Sequence, residues 1–331
     1  MSKPKNWIKK ALLQTGSLRL AARLAKPSAV MLMYHSVVEN PQLTENSIGT
    51  SKSSAVFESH IRTLVKHFTP VSLDQVVEFA CGGKELPPRS VAVTFDDGFL
   101  DNLEVALPIL KHYGVPATFY ILVGAVETGT MPWYCRINFA FRTTRKRTWT
   151  DSEDGHVYKL ETPQDRKSAL SVAWGAGARK TGAVQAEFVG QIEESLEVEP
   201  IPTRVMLTWD QVRALKKDGH IIGGHTLSHP NLAHVTEREA QAEIVGCKQR
   251  LEQELGAPVD HFCYPHPALN PQCTQTTVEI TRQAGFKSAV LTKCGPVRRG
   301  DEPFLLKRIY PANDLDQWQW NLNLTFLGRS I

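Results

Sequence analysis

Nowhere does this sequence approach the ~20 consecutive apolar residues that a membrane-spanning helix needs, so no span is expected. Its six cysteines, at 81, 135, 247, 263, 273 and 294, make no C-x-x-C pair and no regular framework. They are expected to be reduced, individually buried thiols in a reducing compartment. Acidic residues are missing from positions 1–28, which carry Lys3, Lys5, Lys9, Lys10, Arg19, Arg23 and Lys26. Those seven charges exceed the net +4 of the whole chain, so the remainder is net acidic. A secretory signal is not expected either. The N-terminal apolar pattern is broken by Gln14, Arg19 and Arg23, and no small-x-small cleavage site follows a long apolar region.

What is present is an ordinary globular composition, with 42% hydrophobic and 22% charged residues over 331 positions. That supports a sizeable core and one large α/β domain or two average ones. In the basic segment, Trp7, Ile8, Ala11, Leu12, Leu18 and Ala22 recur at near-helical spacing with bases between them. The pattern suits a helix lying on an anionic membrane surface; a basic helix packed on the rest of the protein is the other reading. Nucleic acid is not expected as a partner, because the segment lacks interleaved aromatics and any recognisable module. The expected location is cytoplasmic, peripheral to the inner face of the membrane where the basic segment docks.

From residue 29 onward short apolar runs alternate with capped amphipathic stretches. Strands are expected at 29–35, 91–95, 117–123, 220–224, 261–264, 288–291 and 305–309, and helices at 57–68, 102–113, 208–217, 236–255 and 276–284. Ser72-Leu-Asp-Gln75 is a capping box that opens one more helix, which Gly82-Gly83 ends. Between about 133 and 204 the alternation lapses, and a mostly helical, peripheral insertion is expected. Strands alternating with helices imply a parallel sheet with helices outside, here a distorted (β/α)7-type barrel over 29–331. Chemistry in such folds gathers at the carboxyl ends of the strands, where His35, Asp96, Asp97, His225 and Tyr264 all fall.

Two stretches stand out. Val91-Ala-Val-Thr-Phe-Asp-Asp-Gly98 is a buried strand running into two carboxylates and a turn glycine. Such carboxylates are costly unless a cation or a set of donors compensates them. Gly223-Gly-His-Thr-Leu-Ser-His-Pro230 places His225 and His229 four apart, so that on one turn both rings share a side. Two imidazoles and one carboxylate make an N,N,O site with open positions, for which zinc is the default divalent ion.

Thr94-Phe-Asp-Asp-Gly98 and His225-Thr-Leu-Ser-His229 resemble the first two signature motifs of the polysaccharide deacetylases, the NodB-homology domain or carbohydrate esterase family 4. Leu32-Met-Tyr-His-Ser-Val37, Pro116-Ala-Thr-Phe119, Leu207-Thr-Trp209 and Phe262-Cys-Tyr-Pro265 extend the resemblance over roughly 29–131 and 204–312, toward the exopolysaccharide and surface-glycan branch. It implies a NodB-like barrel in which Asp97, His225 and His229 hold the metal and Asp96 is the general base. The backbone N–H of His266 is expected to face the oxyanion, and Thr226 either to bind a ligand or acetate oxygen or only to cap the turn between the histidines. Of Trp133, Tyr134, Trp209 and Tyr264, the aromatics near the site, Trp209 and Tyr264 are those expected to stack on sugar.

Two positions depart from the family pattern. Cys263 stands where the base-orienting arginine is common, and Arg308, from another strand, is expected to replace it. The C-terminal leucine-x-histidine that usually supplies the acid is missing, which leaves His35 as the first candidate. The implied function is removal of acetyl groups from N-acetylated sugars of a polysaccharide or a lipid-linked glycan. A catalytically weakened protein of the same fold, acting in glycan binding or assembly, is the alternative.

Overall fold

The computed structural model describes residues 6–39, 51–199, 204–266 and 269–329, with the side chains of 6–8 left out. Lys3 and Lys5, and the side chains of Trp7 and Ile8, therefore lie outside the described residues. Seven parallel strands form the central sheet: β1 (Ala29–Tyr34), β2 (Thr69–Pro70), β3 (Ser90–Phe95), β4 (Ala117–Ile121), β5 (Ile221–Gly224), β6 (His261–Cys263) and β7 (Ser288–Val290). Their spatial order is β1-β3-β4-β5-β6-β7, with the short β2 beside β3. Both faces of β1, β3 and β4 are buried, which is why these segments read as unbroken apolar runs. Tyr34, Phe95 and Phe119 stack across three neighbouring strands, with ring centroids 5.5 and 5.0 Å apart.

The strand expected at 305–309 is corrected. Leu306 bridges Val290 of β7 and Ile309 bridges Leu32 of β1. The segment crosses from one edge strand to the other, so each end pairs with a different neighbour and no continuous ladder forms. That crossing closes the curled sheet and carries Arg308 inward. The helix expected at 102–113 begins as a π-type turn, Asn102–Ala106, before its α-helical part, Leu107–Tyr113. Such turns are frequent at functional sites.

Of the cysteines, only 135, 247 and 263 are buried, whereas Cys81 and Cys294 are exposed, so the expectation of six buried thiols is also corrected. All six are free. The basic segment forms two helices, Asn6–Gln14 and Ser17–Leu24, parted at Gly16. Leu13, Leu18 and Ala22 are buried, and both helices pack on a C-terminal helix, Leu315–Phe326, that the sequence reading did not foresee. Leu20 and Leu24 face outward. Among the described residues no helix is long and apolar enough to cross a membrane.

The insertion holds three longer helices, Trp133–Thr143, Pro163–Gly177 and Gly182–Ser195, and a hairpin pairing Thr148–Thr150 with Val157–Lys159. It has a core of its own built on Trp133, Phe141, Trp149 and Phe188. Far from being peripheral, its first helix reaches the carboxyl ends of the barrel strands.

Candidate active site

Asp96 and Asp97 follow β3 directly and are 2% and 0% exposed, yet their surroundings differ. Asp96 meets Arg308 in a fork, Oδ1 to Nη1 at 2.6 Å and Oδ2 to Nη2 at 2.8 Å. The guanidinium, itself wholly buried, also donates to Leu291 O, Thr94 Oγ1 and Cys263 Sγ, which accounts for all five of its N–H groups. Burial pushes the Asp96 carboxyl up, but the charge and hydrogen bonds of Arg308 outweigh it and hold the group below the usual carboxylate range. Cys263 therefore lies against the arginine that sequence reasoning expected in its place.

Asp97 has no arginine. Its Oδ2 accepts the Tyr134 hydroxyl at 2.6 Å, while its Oδ1 is buried without a hydrogen-bond partner. That oxygen sits 3.4 Å from His225 Nε2 and 3.6 Å from His229 Nε2. His225 Nδ1 lies 2.8 Å from the Cys263 carbonyl, and donating to it leaves the Nε2 lone pair aimed at Asp97. Burial and then the neighbouring His225 lower His229 to about 3. Against the burial that lowers it, His225 is raised by Cys263, Asp97 and Asp96, so the two rings divide one proton unevenly; a ligand set needs both neutral. An orphaned buried oxygen facing two imidazole nitrogens is the donor set of a divalent-cation site, and the three residues fit one. A second grouping, Asp96, His225 and Cys263, has its carboxylate already engaged by Arg308.

The loop holding the histidines is fixed from every side. Gly223 in β5 packs so closely on Tyr120 that a Cβ would lie 2.5 Å from that ring. Val123 N and Gly124 N, just after β4, donate to the carbonyls of Thr226 and Leu227. Leu227 N and Ser228 N donate to Glu243 Oε2, both at 2.8 Å, and the Ser228 hydroxyl bonds the other oxygen. Trp133 Nε1 donates to His229 O at 3.0 Å. Asp97, Thr226 and His229 all take positive φ (78°, 66° and 62°), a conformation non-glycine residues hold only when their surroundings over-determine it.

His35 follows β1 with Nε2 4.0 Å from Asp96 Oδ2. Its backbone is pinned by two residues that sequence reasoning missed. Asn102 Nδ2 donates to His35 O at 2.7 Å, and Asp101 accepts from Ser36 Oγ and Val37 N. Burial pushes the Asp101 carboxyl up to about 6 despite those bonds.

Several assignments are corrected. The Thr226 hydroxyl accepts His229 N at 3.0 Å and donates to His225 O, and the residue is 0% exposed, so it caps the turn, the second of its two expected roles. Tyr264 is 0% exposed and packs on Phe262 in the core, because β6 turns that ring inward; it cannot stack on a sugar. Trp209 is the first residue of a helix outside the barrel that Thr208 caps, with Arg250 5.1 Å over its ring. His266 is not corrected: its ring bonds Asn270, its neighbours 267 and 268 lie outside the described residues, and the role of its backbone N–H stays a proposal. Trp133 and Tyr134 are the aromatics that meet the site. No motif announces them, although their position shortly after β4 already put them near the strand ends.

The chain matches the polysaccharide deacetylase family over residues 83–289. It is similar in fold to Streptococcus pyogenes deacetylase PplD, solved in complex with acetate, at 19% identity and a TM-score of 0.60 over 91% of this chain and 99% of that one. IcaB from Ammonifex degensii is similar at 19% identity and a TM-score of 0.58, over 91% and 98%. A poly-β-1,6-N-acetyl-D-glucosamine N-deacetylase of Staphylococcus aureus is 40% identical over 77 residues, a match spanning 23% of this chain and only 26% of the relative. A family match that runs from just before the Asp-Asp strand to β7 encloses both motifs, and the chain belongs to the polysaccharide deacetylases.

Proposed function

We propose that this protein removes acetyl groups from N-acetylated sugars of a glycan with the help of a divalent cation, most simply zinc. One observation carries the reading. Two adjacent buried carboxylates are driven into different roles, one neutralised by an arginine fork and one left with a bare oxygen toward two imidazoles. Asp97, His225 and His229 would hold the cation, which supplies Lewis acidity for the acetyl carbonyl and the attacking water.

The remaining work falls to the chain's own groups. Asp96 is ionised at neutral pH through Arg308 and accepts the proton of the water as it adds to the acetamide carbon. The fork keeps both carboxylate oxygens in one orientation, so the acceptor lone pair does not have to be found anew on each turnover. His35, beside Asp96 and partly open to solvent, is placed to return a proton to the leaving amine. Positioning is done by Glu243 and Asn102, which hold the histidine loop and the His35 backbone respectively.

The S. aureus relative is named for poly-β-1,6-N-acetyl-D-glucosamine, which makes β-1,6-linked N-acetylglucosamine oligomers the first substrate to try. A lipid-linked glycan at an anionic membrane is the finer form of the proposal. It is supported by the outward-facing Leu20 and Leu24 beside Arg23, and protein that ignores anionic vesicles at low salt would remove it. The decisive experiment is acetate release from a panel of N- and O-acetylated oligosaccharides by chelator-stripped, zinc-reloaded and Asp97→Ala protein. Release only by the zinc-reloaded wild type is expected. Zinc binding with no acetate from any substrate would favour a glycan-binding protein instead.

A further inference from the structure

We infer that Tyr134, delivered by the insertion, is a positioning residue of the cation site: its hydroxyl occupies one oxygen of Asp97, so that the carboxylate presents Oδ1 alone. The inference rests on the Asp97, His225 and His229 reading above and goes beyond it, by assigning the insertion a part in the centre.

The two oxygens of Asp97 are not equivalent. Oδ2 receives the phenol at 2.6 Å, a short charge-assisted bond. Oδ1 has no hydrogen-bond partner and faces both imidazoles, at 3.4 and 3.6 Å. A carboxylate with two free oxygens can rotate or chelate; one pinned through Oδ2 cannot.

The tyrosine is itself held. Trp174 Nε1 donates to Tyr134 O at 3.1 Å, the Trp133 ring stands perpendicular to it at 5.8 Å, and His229 packs on its face at 4.7 Å. Trp133 meanwhile donates to the His229 carbonyl. Consecutive residues of the insertion thus each restrain a different member of the triad. Outer partners that orient a ligand typically matter about 10- to 100-fold in metal affinity.

The test is zinc titration of chelator-stripped full-length protein against a chromophoric competitor, for wild type, Tyr134→Phe and Asp97→Ala, with thermal unfolding of each to confirm a folded chain. Cobalt-loaded samples report the coordination number through their visible absorption. Tyr134→Phe deletes one oxygen and should weaken zinc binding about 10- to 100-fold. It should also lower the intensity of the cobalt bands, because the freed Oδ2 joins the coordination sphere, an effect that loosened packing alone would not produce. Zinc affinity within twofold of wild type in Tyr134→Phe, or an unchanged cobalt spectrum, while Asp97→Ala loses the metal, overturns the role of Tyr134 and leaves the triad standing. Zinc affinity unchanged in Asp97→Ala removes the triad and this inference together.

Discussion

Replacing Arg308 by methionine tests the centre most sharply, since it keeps an unbranched apolar stem and deletes the buried guanidinium with its charge and donors. Arg308 is 0% and Asp96 2% exposed, so the variant strands a carboxylate in the core. Removing one partner of such a pair costs about 3–5 kcal/mol. At about 2 °C per kcal/mol for a chain of this length, Tm should fall by roughly 6–10 °C.

The pH dependence carries the sign. In the wild type the Asp96 carboxyl is held below the usual range, so its stabilisation is present above the unfolded value near ~3.9 and fades only as pH falls through the folded one. Without the arginine, burial is opposed only by the weaker pull of His225 and His35, and the carboxyl rises. The penalty is then full at neutral pH and shrinks as acid protonates the group. The Tm gap between wild type and Arg308→Met should therefore narrow from pH 7 toward pH 4, and the acid limb of kcat/KM should move toward neutrality. Adding Asp96→Asn should recover most of the lost Tm. Differential scanning calorimetry and an acetate-release pH profile read both effects. A gap constant across that range, or a double variant no more stable than Arg308→Met, would refute the reasoning.

Two further outcomes follow from the geometry. Glu243→Ala leaves the half-buried amides of Leu227 and Ser228 without their acceptor, at up to about 1–3 kcal/mol each. It should weaken zinc binding more than Glu243→Gln, which keeps one acceptor; equal affinities, measured by competition titration, would deny Glu243 its hold on the loop. His35→Ala should lower kcat by about 10²–10⁴-fold with little change in KM. An unaltered kcat would move the proton donor elsewhere.

Sequence reasoning reached the centre where local pattern and chemistry coincide. A β-branched run ending in Asp96-Asp97-Gly98 and a histidine pair after Gly223-Gly224 each announce a strand end carrying ligands. Arg308 was reached through the family resemblance, as the charge that stands in for the arginine missing at Cys263, and residue type alone did not separate it from a surface arginine. Residues whose role is set by distant packing stayed hidden. Tyr134 reaches Asp97 from a helix of the insertion, and Glu243 reaches the histidine loop from the middle of a long amphipathic helix where it resembles any solvated acid. Tyr264 and Trp209 were misjudged because residue type says nothing of which way a ring turns at a strand end or a helix start. The C-terminal helix went unnoticed although Asp314 caps it and Trp318, Leu322 and Phe326 line one side.

The left-handed backbone at Asp97, Thr226 and His229 has a consequence for durability. Each such residue holds about 1–3 kcal/mol in reserve, and the three lie in the two loops that carry the proposed ligands. Their neighbourhood behaves like a sprung clasp, kept shut by cross-ties from the helix beneath it and the insertion beside it. Glycine at Thr226 would relax the backbone at the cost of the bond its hydroxyl accepts from His229 N, letting the imidazoles wander. Thermostabilised variants selected only for survival on heating should therefore drift toward relaxed backbones at these positions, and pairing each heat step with a screen for acetate release would keep the spring wound.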